Sequence, residues 1–241
     1  MTLLFFICLI FVASVLQTST GFGFSIMAMP LLLLIFPPQE AIQINIILTI
    51  FISLFLIGKI RGSLHAPLLK RIIISSVLGA PLGFLLFVTV NIDLFKLGIS
   101  VVLLLLTVLL ITRVSIRPTK NRDYIVGGFS GLFTTSIGMS GPPMLLYFTG
   151  GDAEKNRVRS TTIAFSLFIN TFSLIAHMSL LGTNRIVWET ILYSIPVVLI
   201  GIFAGQKLFD WLDQKTFKRI LYVILGGTGL YLLIESIVTM I

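Results

Sequence analysis

With 241 residues, 56% of them hydrophobic and only 11% charged, and a mean hydropathy of +1.08, this chain cannot be an ordinary soluble domain. Its formal net charge of +8 does not point to nucleic acid. The basic residues sit in short loops beside apolar runs, where the positive-inside rule puts cytoplasmic anchors. The single cysteine, Cys8, rules out an internal disulfide and a thiolate metal site.

In chain order, the first half offers a long interrupted apolar segment at 3–36 and simpler spans at 41–58, 72–90 and 94–112. The second half offers an interrupted segment at 124–149 and spans at 160–181, 187–206 and 218–240. Most of these runs approach the ~20 residues that cross a bilayer as a helix. β-barrel alternation is absent, so the expected class is an all-α integral membrane protein forming one transmembrane domain over 1–241. Residues 1–17 are not a signal peptide on this reading: they contain no Lys or Arg, and the apolar stretch runs on to Phe36.

The second half repeats the first. Gln17-Thr18-Ser19-Thr20-Gly21-Phe22-Gly23 is echoed by Thr134-Thr135-Ser136-Ile137-Gly138-Met139-Ser140 at an offset of 117 residues. Asn45, Thr49 and Ser53 fall opposite Thr162, Ser166 and Asn170. After a five-residue slip, Gly79 and Gly83 match Gly201 and Gly205, and Phe95-Lys96 matches Phe217-Lys218. The repeats divide as 1–115 and 120–241. Repeats with broken apolar segments at corresponding places are a pointer to a secondary transporter.

Loop charges give the topology. Lys59, Arg61, Lys70 and Arg71 cluster in one loop, and Arg113, Arg117, Lys120 and Arg122 in another. Lys155, Arg157 and Arg159 form a third cluster, and Lys207, Lys215, Lys218 and Arg219 a fourth. All four reach the cytoplasmic side only if each interrupted segment is a hairpin that enters and returns on the same face. The 34 residues of the first segment would make roughly 50 Å of straight helix, too long for one crossing. Two arms plus three spans give five segments per half. The second half is then inverted, with both termini outside the inner membrane of the cell.

The breaks carry Gly, Ser and Thr where a membrane helix favours Leu. Gly21, Gly23, Gly138 and Gly141 permit tight turns, and Pro142-Pro143 suits the first turn of a new helix. The arms that begin near Gly23 and Pro142 would aim helix N-termini at the membrane interior, a setting that favours an anion. Close helix packing explains any single small residue equally well; two matched breaks favour a site. The candidate binding residues are Gln17, Thr18, Ser19, Gly21, Gly23, Ser25, Asn45, Thr49, Thr134, Thr135, Ser136, Gly138, Ser140, Gly141, Pro142, Ser166 and Asn170. Asn45, Thr49 and Ser53 recur every four residues and share a helix face, as do Thr162, Ser166 and Asn170.

Asp93, Glu189 and Glu235 lie near span ends, so no carboxylate sits mid-span to serve a cation. His177 is the candidate for proton coupling, although a hydrogen-bonded interfacial histidine is the plainer account. No paired carboxylates, metal-ligand spacing, phosphate loop or nucleophile elbow appears, so neither enzyme activity nor a cofactor is expected. The expected partners are a small anionic substrate and the lipid bilayer. Oligomeric state is not encoded in any recognisable pattern.

Thr20-Gly21-Phe22-Gly23-Phe24-Ser25 followed by Pro30-Leu31, the Ala41 to Ser53 helix and the Gly79/Gly83 helix together resemble the TauE/SafE family of sulfite exporters and sulfonate permeases. The resemblance covers essentially the whole chain. It implies a multi-pass carrier for small, often sulfur-containing anions such as sulfite, sulfonates or sulfoacetate. Here the breaks read Phe22-Gly23-Phe24 and Met139-Ser140-Gly141, where that family has denser glycine, and this leaves the exact anion open. The resulting expectation is alternating access around two broken hairpins. A non-transporting scaffold subunit and a passive anion channel are the alternatives.

Overall fold

The computed structural model describes residues 2–60, 64–91, 119–149 and 155–211, with isolated positions between 94 and 112 and from 227 onward. Regular structure among them is helical throughout. The helices are α1 (Thr2–Thr20), α2 (Gly23–Leu32), α3 (Pro38–Ile60), α4 (Ala66–Thr89), α5 (Lys120–Ile137), α6 (Gly141–Thr149), α7 (Lys155–Leu181) and α8 (Arg185–Trp211). The expected spans at 94–112 and 218–240, and the Phe95-Lys96/Phe217-Lys218 match, lie outside the described residues.

Four helices, α3, α4, α7 and α8, are long and apolar enough to cross a bilayer. They begin earlier or end later than hydropathy alone suggests, because polar residues extend them past the lipid-length core. His65 caps α4, its Nδ1 accepting from the Leu68 N–H at 3.2 Å with Pro67 in the first turn. α7 takes Lys155, Arg157 and Arg159 into its first turns.

Both interrupted segments are hairpins. In the first, Gly21 adopts φ +91° and ends α1. α2 then folds back so tightly that a Cβ added at Gly23 would lie 2.7 Å from the Leu16 Cβ. The mouth of this hairpin closes where Phe6 meets Phe36 edge to face, with centroids 6.1 Å apart. In the second, Gly138 adopts φ +69°. The Gly138 N–H bonds the Thr134 carbonyl at 2.9 Å, and the Met139 N–H the Phe133 carbonyl at 3.1 Å. Its mouth closes where Asp123, at the start of α5, accepts a hydrogen bond from Tyr147 near the end of α6 and an ion pair from Arg71 of α4 at 2.6 Å.

The outer surface is apolar, with Leu78, Leu82, Leu192, Tyr193 and Ile200 exposed, while Gln17, Asn45, Thr49, Ser166, Asn170 and His177 are buried. Lipid as solvent produces this distribution, because it leaves hydrogen bonding to be satisfied inside the bundle.

Packing crosses between the halves. α4 lies on α5, α1 on α8, and α3 on α7. A Cβ added at Gly79 would lie 2.0 Å from the Gly128 carbonyl oxygen, and one at Gly83 would lie 2.1 Å from that of Leu132. A Cβ at Gly201 would lie 3.1 Å from the Phe11 carbonyl oxygen, and one at Gly205 would lie 2.7 Å from that of Val15. Shifted by the repeat offset, Phe11 and Val15 become Gly128 and Leu132. The matched glycine helices therefore seat on matched positions of the opposite hairpin, and only a residue without a side chain permits that approach.

Candidate functional site

The polar stripes of α3 and α7 run alongside the hairpin tips. Within the first half, the Ser25 hydroxyl of α2 faces that of Thr49 on α3 at 3.5 Å. Within the second, Ser140 faces Ser166 on α7 at the same 3.5 Å. Thr49 and Ser166 are repeat-equivalent. A separation of 3.5 Å is long for an O–H···O bond, so neither pair is firmly committed.

Each stripe also reaches the other half. Asn45 Nδ2 donates to the Gly138 carbonyl at 2.6 Å. At the other tip, a Cβ on Gly21 would lie 2.9 Å from the Arg159 carbonyl oxygen and 3.4 Å from the Thr162 Cβ. Thr162 is the equivalent of Asn45. The two tips touch as well, since a Cβ on Gly141 would lie 2.8 Å from the Phe22 carbonyl oxygen.

α7 holds both tips through their backbones. Arg159 Nε donates to the Thr18 carbonyl at 2.8 Å, and His177 Nε2 lies 2.8 Å from the Thr135 carbonyl. Thr18 and Thr135 are again repeat-equivalent. Arg159 and His177 are eighteen residues apart, about 27 Å along the helix, so the two arms are gripped near opposite ends of α7 while their turns touch between them.

The predicted site residues fall into two groups. Some are spent on the hairpins. Gln17 closes the first tip, with Nε2 on the Gly21 carbonyl at 3.0 Å and Oε1 accepting from the Phe24 N–H at 3.1 Å. The Gly21 N–H goes to the Gln17 carbonyl, so Gln17 closes the turn and satisfies one N–H, that of Phe24, at the start of α2. Ser19, Thr134 and Ser136 donate to carbonyls one turn back. Thr135 donates to Ala80 of α4 at 2.7 Å. Pro142 has no N–H to offer an anion, which leaves Ser140 and Gly141 as the backbone donors of the stretch between Ser140 and Pro142.

The remaining group is uncommitted. Ser25, Thr49, Ser140 and Ser166 form the loose hydroxyl pairs. Thr18 Oγ1, Asn45 Oδ1 and Asn170 Oδ1 are buried and have no hydrogen-bond partner among the described residues. Asn170 Nδ2 donates to the Ser166 carbonyl at 2.7 Å. Gly21, Gly23, Gly138 and Gly141 act through the close approaches described above.

Two features were not anticipated from sequence. The Arg71–Asp123–Tyr147 cluster escapes a hydropathy reading, because the expected span begins at 124, one residue past the carboxylate. A lone Asp among Lys120, Arg122 and Arg71 is the signal that was available. Arg159 read as a topology anchor, yet its guanidinium sits on the first hairpin tip. Among the described residues, no group of His, Cys, Asp and Glu is arranged to hold a metal.

The family model described as "Sulfite exporter TauE/SafE" matches residues 6–232 of the chain. No curated protein and no solved structure matches it.

Proposed function

The chain belongs to the sulfite exporter TauE/SafE family, and from that premise we propose that it is a secondary transporter for a small sulfur-containing anion such as sulfite, a sulfonate or sulfoacetate. It is a multi-pass membrane protein. On this reading it sits in the inner membrane with both termini outside, and its two five-segment halves are inverted repeats. The anion binds where the uncommitted hydroxyls of Ser25, Thr49, Ser140 and Ser166 converge on the hairpin tips. Gly21, Gly23, Gly138 and Gly141 let backbone and hydroxyls approach it. Transport proceeds by alternating rearrangement of the halves around that site.

The observation that carries this reading is the reciprocal crossing. α3 abuts the second hairpin tip through Asn45, and α7 abuts the first through Thr162, at repeat-equivalent positions. An exchange of equivalent contacts between halves gives a bundle two related arrangements, which alternating access requires. A scaffold subunit has no need for buried polar atoms without partners.

The test is charge movement, with isotope uptake alongside, in liposomes of the purified protein challenged with sulfite, sulfoacetate, taurine and chloride. Saturable flux of one anion, lost in Ser140→Val but kept in Ser19→Ala, is the expected outcome. Flux that rises linearly with concentration would make the protein a channel, and no flux of any anion would leave a scaffold.

A further inference from the structure

Asn45 and Asn170 have the same problem. Each places its Nδ2 on a backbone carbonyl, Gly138 for one and Ser166 for the other. A carbonyl can only accept, so the amide orientation is fixed by chemistry and Oδ1 is an acceptor in both. Both oxygens are buried without a partner among the described residues, and both residues have 0% exposure. Leaving such an acceptor empty is costly in a buried setting.

The two amides flank one turn of chain. Asn45 holds Gly138 from α3. Asn170 lies on α7 between Ser166, which faces Ser140, and Ser173, which points at the Thr134 carbonyl at 3.5 Å. The 134–140 segment therefore lies between two acceptors that call for a hydrogen-bond donor. The Ser140 hydroxyl of this turn and the Ser166 hydroxyl of α7 lie beside it.

A metal cation is one group that would satisfy empty oxygens, and the end of a broken helix is where transporters often keep one. Here four carbonyls at the end of α5 and in the turn after it already have partners. Phe133 and Thr134 accept from the Met139 and Gly138 N–H groups, Thr135 is matched by His177, and Gly138 accepts from Asn45. The carboxylate of α5, Asp123, is at the opposite end of that helix and engaged by Arg71 and Tyr147. Two amide oxygens without carbonyl or carboxylate support make a thin cation shell.

We propose that the anion taken at this turn carries its own hydrogen-bond donor. It is a singly charged sulfur oxyanion whose O–H is accepted by Asn45 or Asn170, while its ionised oxygens accept from Ser140 and Ser166. The donor comes either from the acid itself, as in hydrogensulfite, or from a hydroxyl substituent on a sulfonate. Doubly deprotonated sulfite and bare alkanesulfonates bring only lone pairs to these oxygens and are disfavoured. This inference rests on the transport reading and specifies its substrate.

The experiment compares 2-hydroxyethanesulfonate with ethanesulfonate as competitors of labelled sulfite uptake into liposomes, at one pH and with sodium present or replaced. Sulfite uptake itself is then followed across the pH range in which sulfite gains its proton. The expected result is a preference of about tenfold for the hydroxyl-bearing sulfonate. Sulfite affinity should stay constant when counted as the monoprotonated form.

Asn170→Leu is the informative variant, because its lost Nδ2 bond lies within α7 and ties no other helix. In this variant the preference should be lost, so that the two sulfonates compete equally with whatever sulfite uptake remains. Asn170→Thr, which keeps a hydroxyl acceptor, should retain part of it. Equal competition by the two sulfonates in active wild-type protein would overturn the donor inference and leave the transporter standing. So would sodium-dependent uptake that is indifferent to the donor. Failure to take up any anion would overturn both.

Discussion

The two hairpins are closed by different chemistry at the same place. Phe6 and Asp123 are repeat-equivalent, and each ties the mouth of its hairpin. Phe6 does so by stacking on Phe36, and Asp123 by bonding Tyr147 and pairing with Arg71. The first mouth holds by apolar contact, at a cost of little specificity. The second is a buried polar cluster, strong while complete and fragile when one member is lost. Their tips differ in the same sense. Gln17 caps the first tip from within, whereas its equivalent, Thr134, turns back to Ser130, and the second tip depends on Asn45 from the other half. The first hairpin closes its own turn before Arg159 grips it from α7, and the second leans more heavily on its neighbours.

The sharpest way to break this contrast is at Asp123. Asp123→Leu strands the Arg71 guanidinium, whose side chain is 23% exposed. It should cost about 3 kcal/mol of stability, read as a large drop in Tm in detergent. Arg71→Leu combined with Asp123→Leu should recover a good part of that loss, and a double variant as unstable as the single would show that the pair is not the source.

Next in size come the glycine seats. Gly79→Ala drives a methyl to 2.0 Å from a backbone oxygen, while at Gly201 the nearest atom is the Ser14 Cβ at 2.6 Å. Overpacking of this kind costs about 1–3 kcal/mol, and Gly79→Ala should be the worse of the two by thermal unfolding. Equal losses would mean that α8 is as tightly seated on α1 as α4 is on α5.

At the tips, Gly21→Ala and Gly138→Ala both impose a side chain on a left-handed backbone, at about 1–2 kcal/mol each. Gly21→Ala also meets the Arg159 carbonyl oxygen at 2.9 Å, whereas Gly138→Ala meets Asn45 Nδ2 at 3.3 Å. The first should lose more stability. The second should lose more flux, because it disturbs Asn45, and flux assays beside unfolding curves separate the two.

The smallest effect belongs to Phe6→Ala, which removes an edge-to-face pair worth about 1 kcal/mol. Limited proteolysis of the first hairpin should detect it where Tm barely moves.

Much of this was legible in the chain before folding. The paired breaks at Gly21 and Gly138 could be read because left-handed turns select glycine and the repeat shows them twice. The hairpins could be read because the basic clusters would otherwise fall on both sides of the membrane. Which hydroxyls are uncommitted could not be read. Thr135 and Ser166 look alike in sequence, yet one donates to Ala80 and the other faces Ser140, a difference set by which helix lies opposite. Gln17 looked like a ligand donor and is a turn clasp, because its amide reaches both sides of the break it precedes. Asp123 was missed because hydropathy reads the lipid-length core and not the polar turn that starts the helix.

α7 grips Thr18 near its beginning and Thr135 near its end, so one helix links the two hairpins as a connecting rod would. In the proposed transport cycle, a slide of this helix along its axis would carry both tips in the same direction. If the hairpins enter from opposite faces, as proposed, that single stroke pushes one tip deeper and withdraws the other. Opening on one side and closing on the other would then be one mechanical event, with no separate signal needed to keep both gates from opening together.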